Sequence, residues 1–155
     1  TEDLMDDVIT EALHHINRKS EEHHISVESK EEFLLAKMDA KLIVQVIINI
    51  VDNAIKYTPK NSHIVIRTEK RGKQAIVSIS DDGNGIADEI KPRIFDMFYS
   101  GANRIADSRR SLGLGLSLCK SIINAHGGEL TVSDNLPHGT VFTFTLPAGE
   151  VKVYE

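Results

Sequence analysis

Cysteine occurs once in this 155-residue chain, at Cys119, so no internal disulfide can form. It lies in an apolar, helix-like pattern, and a reducing, cytosolic compartment fits that usage. No apolar run approaches the length of a membrane-spanning helix, and no signal-peptide pattern opens the chain. Basic residues are outnumbered, 18 against 23 acidic ones, for a net charge of −5 and a pI near 5.8. That balance argues against a nucleic-acid binder. There is no internal repeat and no low-complexity segment. An initiating methionine is also missing; the start at Thr1 reads as a piece of something longer. What is present, 41% hydrophobic residues over 155, is enough for one domain with a real core.

Periodicity divides the chain. Residues 3–22 read as an amphipathic helix, with Leu4, Val8, Ile9, Leu13 and Ile16 at helical spacing, acids early and bases late. Short strands are expected at 24–27 and 33–36. Asp39 is a candidate N-cap for a long, very apolar helix that runs to about Tyr57 and stops at Thr58-Pro59. Residues 63–69 and 74–80 alternate like paired strands around Arg71-Gly72. Residues 99–112 are rich in Ser, Arg, Gly, Ala and Asn without a period, and read as a mobile loop. A helix is expected over 114–126, closed by Gly127-Gly128, then strands over 130–133 and 141–146 joined by a Pro-His-Gly turn. This order predicts an α+β fold, one sheet covered by helices.

Four places carry candidate chemistry. Asp81-Asp82-Gly83-Asn84-Gly85-Ile86 follows a strand-like apolar run. A strand-end carboxylate can accept from an adenine amino group, and spaced glycines let backbone approach a ligand. Asp-Gly and Asn-Gly are equally ordinary turn dipeptides. Asn49 and Asn53 lie four apart on one helix face, with Lys56 and Tyr57 close by. They read either as core-satisfied amides or as a polar stripe offering an amide oxygen to Mg²⁺, with Lys56 reaching a phosphate. Phe95 and Phe98, three apart, are more often core than ligand contacts. Gly113 and Gly115 open a helix, where free N–H groups and the dipole attract an anion, or where glycine permits close packing.

Taken together, the ordered pieces resemble one family. NIVDNAIKYT, DDGNGI, IFDMF, LGLGLSLCKSIINAHGG and HGTVFTFTLP look like the N, G1, F and G2 boxes and last strand of the catalytic, ATP-binding domain of bacterial sensor histidine kinases. These belong to the superfamily shared with gyrase, Hsp90 and MutL. The resemblance covers about residues 33–147. It implies a two-layer α/β sandwich, a mixed sheet of about five strands covered by three helices, with a mobile ATP lid at 99–112. It implies Asn53 as the Mg²⁺ ligand, and Asn49 and Lys56 at the phosphates in catalytic roles. Tyr57 would flank the nucleotide and Asp81 would accept the adenine amino proton. Gly83 and Gly85 would shape the adenine pocket, Gly113 and Gly115 the phosphate side, and Thr140 would close the pocket. Ile86, Phe98, Leu114 and Leu116 would also line the nucleotide. The lid and the segment LLAKMDAKLIVQVIINIVDNAIKYT are similar to potassium-responsive sensor kinases of the Kdp type.

Two positions depart from the family pattern. Ser111 stands where G2 usually opens on glycine. Ser100 stands where many members carry an arginine near the γ-phosphate, leaving Arg104, Arg109 or Arg110 as substitutes. ATPase relatives carry a glutamate at the position of Asn49, and an amide cannot serve as general base. The resemblance therefore implies transfer of the ATP γ-phosphoryl to a histidine on a separate dimerisation domain, with a downstream response regulator. None of the seven histidines sits in a His-Glu/Asp-x-x-x-Pro acceptor motif. The expected organisation is a connector helix over 1–24, the catalytic domain over 25–150 and a tail over 151–155. The isolated domain is expected to be a monomer, the cytoplasmic part of a membrane-anchored kinase. An anti-sigma-factor-like serine kinase and a non-catalytic nucleotide sensor on the same fold stand as alternatives.

Overall fold

The computed structural model describes residues 1–16, 23–30, 33–96 and 115–149. Strand β1 (Glu2–Leu4) leads directly into helix α1 (Met5–Ile16). Strands β2 (His24–Ser29) and β3 (Leu35–Lys37) precede the long helix α2 (Ala40–Lys56). Then come β4 (His63–Arg71), β5 (Gln74–Asp81), a 3-10 turn at Lys91–Arg93, helix α3 (Gly115–Ala125), β6 (Leu130–Asp134) and β7 (Thr140–Pro147). Five strands form one sheet in the order β2-β4-β5-β7-β6. Only β2 and β4 run parallel, so the sheet is mixed as expected.

Helix α2 is the spine of the second layer. Asp39 caps it, its Oδ1 accepting from the Leu42 N–H at 3.4 Å. Ile43, Val46, Ile47, Ile50, Val51 and Ala54 recur at three- and four-residue spacing, and all are buried. Each such aliphatic side chain contributes about 1.5–3 kcal/mol on burial. They meet the inward residues of the sheet, Ile64, Ile66, Val77, Ile79, Phe142 and Phe144, in a single core. After Lys56 the helix stops, because Pro59 cannot donate a helical hydrogen bond and disfavours helical backbone at Thr58.

Helix α1 buries Met5, Val8, Ile9, Ala12 and Ile16 in that same core. The helix expected as a connector therefore packs its apolar face into the core over the described residues. Its start also differs from expectation. Glu2–Leu4 pair antiparallel with Leu35–Lys37, so the helix begins at Met5. Residues 17–22, the expected end of that helix, lie outside the described residues.

Candidate nucleotide site

Asp81 closes β5 and is buried, at 7% exposure. Its Oδ1 accepts two backbone hydrogen bonds, from Gly83 N at 3.0 Å and Thr140 N at 3.2 Å. No group of the described residues holds its second oxygen. Burial pushes the carboxyl above its ordinary value; the Gly83 and Thr140 N–H groups oppose that, and neighbouring Asp82 adds to it. The strand-end carboxylate therefore has one oxygen fixed by backbone and one left for a donor.

Glycines set the backbone around it. Gly139, just before β7, has φ +119, and a Cβ there would lie 1.9 Å from the Asp81 carbonyl oxygen. Gly85 has φ +78, with a Cβ position 3.2 Å from the Gly139 oxygen. These two turns press together in a way only glycine permits. At Gly83 a Cβ would meet the Thr58 methyl at 2.6 Å, so the end of α2 backs onto the Asp-x-Gly-x-Gly segment. Asn135 donates to the Asp81 carbonyl at 2.7 Å and locks the β6–β7 turn to the same place. Thr140 is buried here and Ile86 half-buried against the core.

On α2, the two asparagines have different surroundings. Gln45 donates to the Asn49 amide oxygen at 2.8 Å, and Asn49 lies near the Cys119 thiol. The half-buried Asn53 side chain bonds none of the described residues, so its amide oxygen remains available as a hard ligand. Lys56 is exposed, its ammonium 5.3 Å from the centroid of the Tyr57 ring. Cys119 is held for packing: burial pushes its thiol up to about 12, and its Sγ–H points to the Val46 carbonyl at 3.7 Å. Phe95 packs edge-to-face on Phe142, the core role that the periodicity favours. Gly115 and Leu116 are half-buried at the start of α3. Phe98, Gly113 and Leu114, the lid expected over 99–112 with Ser100, Arg104, Arg109, Arg110 and Ser111, and the tail at 151–155 lie outside the described residues.

Sequence reasoning missed two participants, Thr58 and Gly139. Thr58 reads as the residue before a helix-ending proline, and Gly139 as the last residue of a turn. Their contacts with Gly83 and Asp81 join segments far apart in the chain.

Among the described residues, a mixed five-stranded sheet backed by three helices, with a backbone-clamped aspartate at the end of β5 near the C-terminal end of α2, defines a class. Residues 38–150 match the family described as histidine kinase-, DNA gyrase B-, and HSP90-like ATPase, and the chain belongs to it. Within that family it is an ATP-binding catalytic domain of the sensor histidine kinase class. Over 145 residues it is 41% identical to the sensor protein KdpD of Clostridium acetobutylicum, covering 94% of this chain and 16% of that protein. The chain thus spans about a sixth of that relative's length. The catalytic domain of the histidine kinase ThkA superposes with a TM-score of 0.81 at 31% identity, over 95% of each chain. ThkA in complex with the response regulator protein TrrA matches with a TM-score of 0.80 at 32% identity, over 95% of this chain and 41% of that one.

Proposed function

We propose that this domain binds Mg-ATP and delivers the γ-phosphoryl group to a histidine on a separate dimerisation domain of a longer sensor kinase. The observation that carries the reading is the Asp81 clamp: one carboxylate oxygen held by the Gly83 and Thr140 N–H groups, the other engaged by none of the described residues. In the reading, that free oxygen accepts from the adenine amino group, while Gly83, Gly85 and Thr140 form the wall around the base. Asn53 supplies the amide oxygen for Mg²⁺, and Lys56 reaches the phosphates beside Tyr57. When bound, Mg²⁺ supplies charge neutralisation on the phosphates. Asn49 cannot take a proton from water, so it orients rather than activates, which disfavours hydrolysis and leaves transfer to another acceptor. Gly113 and Gly115 are placed at the phosphate side, with Ile86, Phe98, Leu114 and Leu116 against the nucleotide.

The similarity to the KdpD sensor protein supports a potassium-responsive, Kdp type of kinase, and the ThkA–TrrA complex supports a downstream response regulator; in the same reading α1 leads toward the phosphoacceptor domain. No helix of the described residues is long and apolar enough to cross a membrane. We place the domain on the cytoplasmic side of a membrane-anchored protein, as a monomer when isolated and without a nucleic-acid partner. Calorimetric titration with ADP tests the site. Asp81→Asn is expected to weaken binding about 10- to 100-fold, the loss of a hydrogen bond to a charged group. Unchanged affinity would remove Asp81 from the adenine role.

A further inference from the structure

Thr58 stands at the junction of α2 and the adenine side of the site, and its hydroxyl is fully committed. Oγ1 gives its one hydrogen to the Ala54 carbonyl at 2.7 Å. It therefore accepts at its second contact, from His23 Nε2 at 2.9 Å, which places the imidazole proton on Nε2. The two bonds hold the threonine rotamer, and the methyl left over faces Gly83, where a Cβ would lie 2.6 Å away. Gly83 in turn donates to Asp81 Oδ1 at 3.0 Å, and its carbonyl meets His138 Nδ1 at 3.0 Å.

The other ring nitrogen of His23, Nδ1, is buried and meets no hydrogen-bond partner among the described residues. Buried polar atoms are nearly always paired, so an unpaired one asks for a reason. Packing alone is no reason, because an apolar ring of similar size would fill the space without an orphaned nitrogen. The Thr58 bond is what an apolar ring could not make. We infer that His23 is a positioning residue for the nucleotide pocket: through Thr58 it fixes the wall behind Gly83, and so the backbone that aims Asp81. This rests on the nucleotide-binding reading above and adds to it a residue outside all five of the sequence motifs.

The test compares the native chain with His23→Phe, His23→Gln, Thr58→Val and the double variant His23→Phe/Thr58→Val. ADP and GDP affinities are measured by calorimetry, and thermal midpoints without nucleotide. His23→Phe is expected to lose about 3- to 10-fold in ADP affinity, the worth of one neutral hydrogen bond, and to narrow the preference for ADP over GDP. Its midpoint should equal or exceed the native one, since the orphaned nitrogen is gone. His23→Gln, whose amide restores a donor, should return to within about 2-fold of native. In the Thr58→Val background, His23→Phe should have no further effect, because the bond that couples them is already absent. Native affinity in His23→Phe, or additive losses in the double variant, would overturn the inference. So would a loss that follows a lowered midpoint and is not rescued by glutamine. If the native chain itself bound no ADP, the nucleotide reading would fall first and the role of His23 with it.

Discussion

Asp81 is costly to the fold as a carboxylate and useful for the same reason. Burial raises its proton affinity above that of the unfolded chain. Its favourable contribution to stability is therefore complete below the unfolded value of 3.8, and it is lost as pH rises through the raised folded value. At neutral pH the ionised group is a net burden that the Gly83 and Thr140 N–H groups only partly offset. Asp81→Asn should accordingly be at least as thermostable as the native chain at pH 7, with an advantage that disappears below about pH 4. Thermal melts across pH check this, and a large loss of stability at pH 7 would contradict it. The glycines separate in the same way. Gly139→Ala meets the Asp81 carbonyl at 1.9 Å with φ +119, so folding should suffer by more than about 1 kcal/mol. Gly83→Ala meets the Thr58 methyl at 2.6 Å instead, on a side chain that its hydrogen bonds to Ala54 and His23 hold in place, so the strain falls on the backbone beside Asp81. It should cost ADP affinity more than stability, and equal damage to both in a paired calorimetry and denaturation series would count against the assignment.

Helix α2 carries two tasks at opposite ends. Asp39 caps its start, and the Asp39 N–H reaches His126 Nε2 at 3.0 Å, tying it to the end of α3. Asn49, Asn53 and Lys56 lie in its last turns, about 15–25 Å further along at the helical rise. Asp39→Ala should therefore lower stability by about 1 kcal/mol while leaving ADP affinity within about 2-fold. Denaturant unfolding and titration of the same variant check both halves. Asn53→Ala should do the reverse, abolishing the gain that Mg²⁺ gives to nucleotide affinity with little effect on folding. An equal Mg²⁺ enhancement in both proteins would move the metal elsewhere. This helix was legible because its cap, its apolar spacing and its terminating proline are all local signals. The β1–β3 pair was not legible. Glu2-Asp3-Leu4 becomes a strand only because Leu35–Lys37 lies beside it, a partner some thirty residues away. Nor could the parallel pairing of β2 with β4 be read, since a short polar strand takes its direction from what flanks it.

For the whole molecule, the layers and the site motifs were open to a reader of the sequence, while the joints between motifs were not. Asp81, Gly83 and Gly85 announce themselves by spacing; Thr58, Gly139 and His23 act through contacts that exist only in the folded chain. The histidines show the same division. His23, His63, His126 and His138 make hydrogen bonds within the fold, His24 stacks on His63, and exposed His15 pairs with Glu11. Such local employment fits a domain that hands its phosphoryl group outward. The most direct test is a labelling gel with γ-labelled ATP and Mg²⁺, using this chain alone and together with the phosphoacceptor hairpin of its full-length protein. The account predicts little label on the chain itself and acid-labile label on the hairpin. Strong acid-labile label on the isolated chain, or acid-stable label on either, would contradict it.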